Sequence, residues 1–214
     1  MSRFTILLGG DLVATARLRA QIAGTRVIAA DSGMRHAAAL QVTPELWAGD
    51  FDSSGAELQA DNAAVPRAEF PAEKDRTDGE IAIAAARSRG ATELVIAGAF
   101  GGDRTDHAFL HLAAAMRAAE EGLDILLTSG TTEGRPLLPG SAEFDYLAGT
   151  LFSVIGFNDL TDLTLTGVKW PLDNRYVPFG SSLTISNEVT GRLRASLASG
   201  RAMVVAHLPV PGDR

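Results

Sequence analysis

The segment Arg26-Val27-Ile28-Ala29-Ala30-Asp31-Ser32-Gly33 decides how this chain is read. Four apolar residues in a row, stopped by Asp-Ser-Gly, mark a short strand that ends in a turn. A helix-like stretch then runs through Leu40. The same order occurs just upstream, where Phe4–Leu8 stops at Gly9-Gly10 and a helical stretch follows from about Leu12 to Ile22. Downstream, Glu45–Ala48 leads into Gly49-Asp50-Phe51-Asp52-Ser53, Leu94–Ala97 leads into Phe100-Gly101-Gly102, and Leu123–Leu127 reads as another strand. Thr77-Asp78-Gly79-Glu80 has the form of a capping box ahead of Ile81, Ala84 and Ala85. Phe109, Leu112, Ala113 and Met116 have the i, i+3, i+4, i+7 spacing that predicts a buried helical stripe. Strands alternating with helices predict parallel βαβ units, in which ligands gather at the carboxyl ends of the strands.

The pattern changes after about Gly130. Gly134-Arg135-Pro136 and Pro139-Gly140 read as punctuation, and no long helical stripe follows. Leu163 and Leu165, Leu183 and Ile185, and the run Val189, Leu193, Ala195, Leu197 repeat with a period of two. Such strands predict an antiparallel sandwich or roll, with Asn187-Glu188 readable as a hairpin turn. The expectation is an α/β domain, residues 1–130, followed by an all-β antiparallel sandwich, residues 131–214.

Bulk properties narrow the function. Hydrophobic residues make up 46% of the 214, enough for a sizeable core. A formal net charge of −7 argues against a nucleic-acid partner. The chain has no cysteine, which removes disulfides, thiolate metal sites and cysteine nucleophiles. No stretch approaches ~18 uninterrupted apolar residues, so the expectation is a cytoplasmic protein with no membrane partner. Only Lys74 and Lys169 of the 19 basic residues are lysine. One reading is codon bias; the other is that both positions need a compact ammonium on a flexible stem.

Six aspartates fall in three short clusters: Asp50 and Asp52; Asp75 and Asp78 around Arg76; Asp103 and Asp106 around Arg104. Carboxylates gathered on loops at one end of a sheet repel one another unless a cation sits among them. An all-oxygen set suits a hard ion such as Mg²⁺, which leaves positions for water and phosphate. Asp50 and Asp52, alternating across Phe51, would share a side in extended backbone. Asp78 and Asp106 open helices, where the dipole alone favours an acid; the same geometry attracts phosphate, and the adjacent Arg and Gly residues favour that use. The chain lacks the G-x-x-x-x-G-K-[ST] loop and has no G-x-G-x-x-G after its first strand. His107 and His111 have zinc-like i, i+4 spacing but no third ligand nearby, so His111 reads as packing or surface. Later in the chain, Lys169-Trp170 and Ser186-Asn187-Glu188 could furnish a stacking ring with polar donors for a flat heteroaromatic.

In order and spacing these strings resemble the thiamine pyrophosphokinase (thiamine diphosphokinase) family. The matching pieces are Asp31-Ser32-Gly33, Gly49–Ser53, Lys74-Asp75-Arg76-Thr77-Asp78, the Gly101-Gly102…Arg104-Thr105-Asp106-His107 segment, Gly167-Val168-Lys169-Trp170 and Ser186-Asn187-Glu188. The resemblance implies transfer of a diphosphate group from ATP to the hydroxyl of thiamine, giving thiamine diphosphate and AMP. It implies a homodimer with sites formed between subunits. Asp50, Asp52 and Asp78 are then similar to the Mg²⁺ ligands and, with Asp106, to the catalytic acids. Asp31, Gly33, Lys74, Arg76, Thr77, Gly102 and Arg104 correspond to the ATP-binding segments, and Lys169, Trp170, Ser186 and Asn187 to thiamine contacts. The family runs Gly-Gly-Arg-x-Asp, whereas here Asp103 intervenes before Arg104. Either the turn is one residue longer or Arg104 reaches phosphate from a shifted start. The alternatives are a diphosphokinase for another flat alcohol of pterin type, a Mg-dependent phosphatase prompted by Asp50-Phe51-Asp52-Ser53-Ser54, and a non-catalytic sensor of thiamine diphosphate or nucleotide.

Overall fold

Residues 2–52, 54–69 and 75–209 are described by the computed structural model. They fall into two units, Met1–Gly130 and Thr131–Arg214. The first is built on six strands: β1 (Ser2–Leu7), β2 (Arg26–Ala30), β3 (Leu46–Gly49), β4 (Arg67–Glu69), β5 (Ala91–Ala97) and β6 (Asp124–Thr128). Every neighbouring pair is parallel, in the order β4-β3-β2-β1-β5-β6. The last four residues of β1, β2, β5 and β6 are all buried, as the predominantly apolar strands of a two-faced parallel sheet must be. The chain winds outward from β1 through β2 to β4, then returns to the far side of β1 as β5. That reversal opens a crevice at the carboxyl ends of β1 and β5.

The helices of this unit are α1 (Ala16–Ile22), α2 (His36–Leu40), α3 (Ala56–Asp61), α4 (Asp78–Ser88) and α5 (Thr105–Glu120), with a 3₁₀ turn at Asp31–Arg35. Helix α1 begins at Ala16, not near Leu12, because the Thr15 hydroxyl accepts the Leu18 N–H at 3.2 Å and fixes the start. In α5 the expected stripe is shifted. Phe109 is 66% exposed, while Ala114, Ala115 and Ala118 are buried beside Met116. A stripe of alanines allows a close approach to its neighbours, so the larger Phe109 is turned outward. The core between sheet and helices includes Leu7, Leu18, Met34, Trp47, Val95 and Leu126.

The second unit holds β7 (Thr132–Leu137), β8 (Gly140–Phe144), β9 (Leu151–Gly156), β10 (Leu160–Val168), β11 (Leu172–Val177), β12 (Asn187–Leu197) and β13 (Ala202–His207). All their pairings are antiparallel. β13 lies between β7 and β9, and β9 pairs with the first two residues of β12. The rest of β12 passes between β10 and β8, with β11 beyond β10. One long strand therefore serves two sheets, which enclose Phe144, Phe152, Leu160, Leu163, Leu165 and Leu193.

Two expectations fail in this unit. Gly134-Arg135-Pro136 lies within β7, with Pro136 opposite Met203, because proline's fixed φ is compatible with extended backbone. Leu183–Ser186 is a turn and not a strand, so Asn187-Glu188 opens β12 instead of reversing the chain. Ser186 is left-handed at φ +59°, which ends any extended run there. The turn is held on β9: Val154 N–H donates to Thr184 O at 2.9 Å, and the Thr184 hydroxyl donates to Val154 O at 2.6 Å.

Candidate active site

Loops after β1, β2, β3 and β5, with the starts of α4 and α5, surround a cleft of about 600 Å³. Its floor is backbone against backbone. Leu8 N–H donates to Ala97 O (2.8 Å), Gly10 N–H to Gly98 O (3.0 Å) and Asp11 N–H to Phe100 O (2.9 Å). A Cβ on Gly10 would stand 2.4 Å from Gly98 O, and one on Gly98, at φ +77°, 2.3 Å from Leu8 O. Neither position has space for a side chain. The Asp11 carboxylate crosses to accept the Gly102 N–H at 3.0 Å, tying the first loop to the glycine turn after β5.

Among the described residues, the acids close enough to share one cation are Asp31, Asp50 and Asp52, each offering an oxygen within 4.8 Å of the others. Strand register explains the convergence. Ala30 pairs with Ala48 in adjacent parallel strands, so Asp31 leaves β2 beside Gly49, whose Cβ would meet the Asp31 Cβ at 3.1 Å. Asp31 has φ +41°; its carbonyl accepts the Trp47 indole N–H at 2.8 Å and its carboxylate the Ser54 hydroxyl at 3.0 Å. Asp50 and Asp52 are not displayed by extended backbone. Phe51 between them is left-handed at φ +64°, and its buried ring meets Trp47 edge-on at 4.9 Å and 83°. The Arg67 guanidinium lies 5.0 Å from both ring centroids. The anchored Phe51 thus turns its two neighbours toward the cleft, where Asp52 N–H also donates to Asp50 Oδ1 at 3.2 Å. Three carboxylates and no nitrogen or sulfur donor are the set a hard divalent cation selects.

The remaining sequence candidates separate. Thr77, Asp78, Gly102 and Arg104 line the same cleft, but Asp78 stands outside the three-acid group and Asp31 inside it. Thr77 forms the expected capping box: its hydroxyl accepts the Glu80 N–H at 3.4 Å, and Glu80 Oε2 accepts the Thr77 N–H at 3.1 Å. Gly33 is a packing glycine, since a Cβ there would lie 2.2 Å from Leu7 O. Arg76 lines a different hollow of about 650 Å³ beside Leu46, Ala48 and Ile81. Lys74 and Ser53 lie outside the described residues. Gly101 and Gly102 are both left-handed, at φ +67° and +84°, and carry the chain past Asp103 so that Arg104 becomes the N-cap residue of α5. Arg104 grips Asp106 with two bonds of 3.0 and 2.8 Å, and those bonds hold the exposed Asp106 carboxyl well below the usual carboxylate range.

Sequence reasoning gives no role to Asp11 or Arg35, both of which line the cleft, and reads His111 as packing or surface. His111 is part-buried, bonded through Nδ1 to Ala99 O at 3.3 Å, and burial pushes its pKa down. Its ring centroid is 6.4 Å from that of His107, and neither histidine belongs to the acid group. The only sequence signal for Asp11 and Arg35 is position, four residues past the end of β1 and five past the end of β2.

In the second unit, Lys169, Trp170, Ser186 and Asn187 meet where the segment after β10 runs beside the start of β12. Asn187 is 5% exposed and its amide is occupied by the chain: Oδ1 accepts the N–H groups of Trp170 (3.1 Å) and Glu188 (2.8 Å), and Nδ2 donates to Trp170 O (2.8 Å). Trp170, in contrast, is 54% exposed. Lys169 places its ammonium 5.0 Å from the Trp170 ring centroid and 3.1 Å from Glu188 Oε2. Ser186 N–H donates to the Ser153 hydroxyl at 3.0 Å.

A family model described as thiamin pyrophosphokinase, catalytic domain, matches residues 22–127, and one described as thiamin pyrophosphokinase, vitamin B1 binding domain, matches residues 143–202. A relative from Bacillus subtilis (strain 168) named thiamine pyrophosphokinase is 31% identical over 162 residues, 73% of this chain and 75% of its own. The crystal structure of thiamine pyrophosphokinase from Bacillus subtilis superposes with a TM-score of 0.86 at 26% identity, covering 98% of this chain and all (100%) of that one. A thiamin pyrophosphokinase from Geobacillus thermodenitrificans superposes at 0.79 with 28% identity, covering 98% of each chain.

Proposed function

The chain belongs to the thiamin pyrophosphokinase family, and from that premise we propose how its residues divide the work of the reaction. The protein is a thiamine diphosphokinase: it transfers a diphosphate group from ATP to thiamine, yielding thiamine diphosphate and AMP. The first unit is assigned to ATP and the second to thiamine. The observation that carries the residue assignment is the approach of Asp31, Asp50 and Asp52 to within 4.8 Å beside a glycine-floored cleft.

Mg²⁺ fits this all-oxygen set and, when bound, supplies charge neutralisation to the polyphosphate. Asp31, Asp50 and Asp52 would hold it, with Asp78 facing the same cleft from the start of α4. The thiamine hydroxyl attacks the β-phosphorus of ATP, the bond to the α-phosphate oxygen breaks, and AMP leaves. Such transfer depends on positioning and charge more than on covalent catalysis. Arg104 is poised at the cleft, and ATP phosphate oxygens would compete with Asp106 for its fork. On the thiamine side, the exposed Trp170 ring offers a stacking face with Lys169 beside it, and Ser186 is assigned to the same substrate as the residue next to Asn187. Asn187 contributes by holding the Trp170 backbone.

The proposal includes a homodimer. Its support is the apolar surface of the second unit: Leu151 and Ile155 on β9, and Leu183 and Ile185 on the turn bonded to β9, are 40–49% exposed. A cytoplasmic setting is also proposed, supported by the absence of cysteine. Among the described residues no helix is long and apolar enough to cross a membrane.

The test is incubation with ATP, MgCl₂ and thiamine, resolving AMP from ADP. AMP should accumulate one-for-one with thiamine diphosphate, and Asp52→Asn should cut turnover by orders of magnitude with an unchanged circular dichroism spectrum. ADP as the nucleotide product would refute diphosphate transfer, and near-normal AMP release by the variant would remove Asp52 from the site.

A further inference from the structure

Among the described residues, the cleft that receives ATP in the reading above is lined by six carboxylates, those of Asp11, Asp31, Asp50, Asp52, Asp78 and Asp103, and by two guanidinium groups, Arg35 and Arg104. A polyphosphate entering so acidic a cleft needs fixed positive charge as well as a metal. Arg104 has its fork closed on Asp106, so much of its charge is cancelled locally. Arg76, next to the second acid cluster, lines another hollow. Arg35 is placed differently. It ends the 3₁₀ turn after β2, and its Nη2 donates to Gly9 O and, at 3.3 Å, to Gly10 O. Both acceptors are neutral carbonyls, so the charge of Arg35 is kept while its reach is fixed on the rigid loop after β1.

We propose that Arg35 is a phosphate-binding residue of this cleft, moored through Nη2 on the Gly9 and Gly10 carbonyls and offering its other N–H groups to the polyphosphate of ATP. A guanidinium suits this double duty because its donors form a rigid planar fork, so one edge is anchored while another faces the ligand. The competing account is that Arg35 only braces the Gly9-Gly10 turn. His36 separates the two. Its Nε2 bonds to the same Gly10 carbonyl at 2.9 Å, yet His36 is not among the residues lining the cleft. It shares the bracing without the charge in the cleft.

The proposal rests on assigning the ATP cleft to the first unit, and the experiment separates the two. Steady-state kinetics are measured for wild type, Arg35→Gln, Arg35→Lys and His36→Ala, varying ATP and thiamine independently and adding inorganic pyrophosphate as inhibitor. Arg35→Gln should raise KM for ATP by roughly 10- to 100-fold, the loss expected for charged hydrogen bonds. KM for thiamine should stay within about twofold, and pyrophosphate inhibition should weaken in parallel. Arg35→Lys should recover part of the loss, and His36→Ala should change KM for ATP far less. An unchanged KM for ATP in Arg35→Gln overturns the proposal. So does an equal rise in His36→Ala, or a parallel loss for both substrates with a fallen melting temperature. If wild type releases no AMP, the assignment of function fails first.

Discussion

Replacing Phe51 by alanine and by glycine should reverse the usual order of those two substitutions. Phe51 is 8% exposed, packs edge-on against Trp47 at 4.9 Å and sits under the Arg67 guanidinium. Removing such a ring to alanine costs about 3–5 kcal/mol. Glycine loses the same ring but also relieves the left-handed backbone at φ +64°. That conformation costs an L-residue about 1–2 kcal/mol, against about 0.4–1 kcal/mol lost because glycine loosens the unfolded chain. The difference leaves Phe51→Gly more stable than Phe51→Ala by about 0.5–1 kcal/mol, where a helix interior would favour alanine by about 1 kcal/mol. Urea denaturation followed by Trp47 fluorescence, in a Trp170→Phe background, reads the comparison at a ring in contact with Phe51. If the alanine variant equals or exceeds the glycine variant, Phe51 is not held left-handed, and the account of how Asp50 and Asp52 are aimed falls with it.

Asn187→Ala leaves the Trp170 N–H and C=O without their side-chain partner, which should destabilise the protein by about 1–3 kcal/mol and raise KM for thiamine more than KM for ATP; an unaltered KM for thiamine would show that Trp170 needs no such support. Acid should weaken the fold through two histidines. Burial, the largest influence on each, pushes His36 and His111 below the ordinary 6.5, with repulsion from Arg35 and His107 adding to it and bonds to backbone carbonyls opposing it. Below 6.5 the unfolded chain binds more protons than the native one, so stability rises with pH through that window and is lost as pH falls. Urea midpoints should decline from about pH 7.5 to about pH 5.5, and the decline should shrink in a His36→Asn, His111→Asn variant; an identical decline in that variant would assign it to other groups.

The parallel architecture was legible because buried strands leave an unmistakable trace: Val27–Ala30 and Leu94–Ala97 are apolar without a break and end in turn residues. The capping box at Thr77 was legible for a similar reason, being a local hydrogen-bond exchange between residues three apart. Helix α5 was misread because both of its faces carry apolar residues, and periodicity cannot tell a packed alanine stripe from an outward Phe109. Asn187-Glu188 is also readable as a hairpin turn in sequence because the left-handed Ser186 before it leaves little mark there. The acid group shows the same limit. Asp50 and Asp52 announce themselves by adjacency, whereas Asp31 joins them only through the lateral pairing of β2 with β3. Arg35, five residues into a loop and turn, carries no motif at all.

That lateral pairing gives the acids a ruler. Asp31 and Gly49 each follow one step beyond the matched rung Ala30–Ala48, so the gap between the carboxylates is inherited from the ladder and not negotiated by flexible connections. A single residue inserted ahead of Asp31, or ahead of Gly49, slides one rail past the other and turns each later side chain to the opposite face. The same insertion after Gly55, where a Cβ would meet open space, leaves both rails untouched. Lengthening is therefore tolerated downstream of the acids and forbidden upstream of them, a frame sensitivity that insertion scanning can map residue by residue.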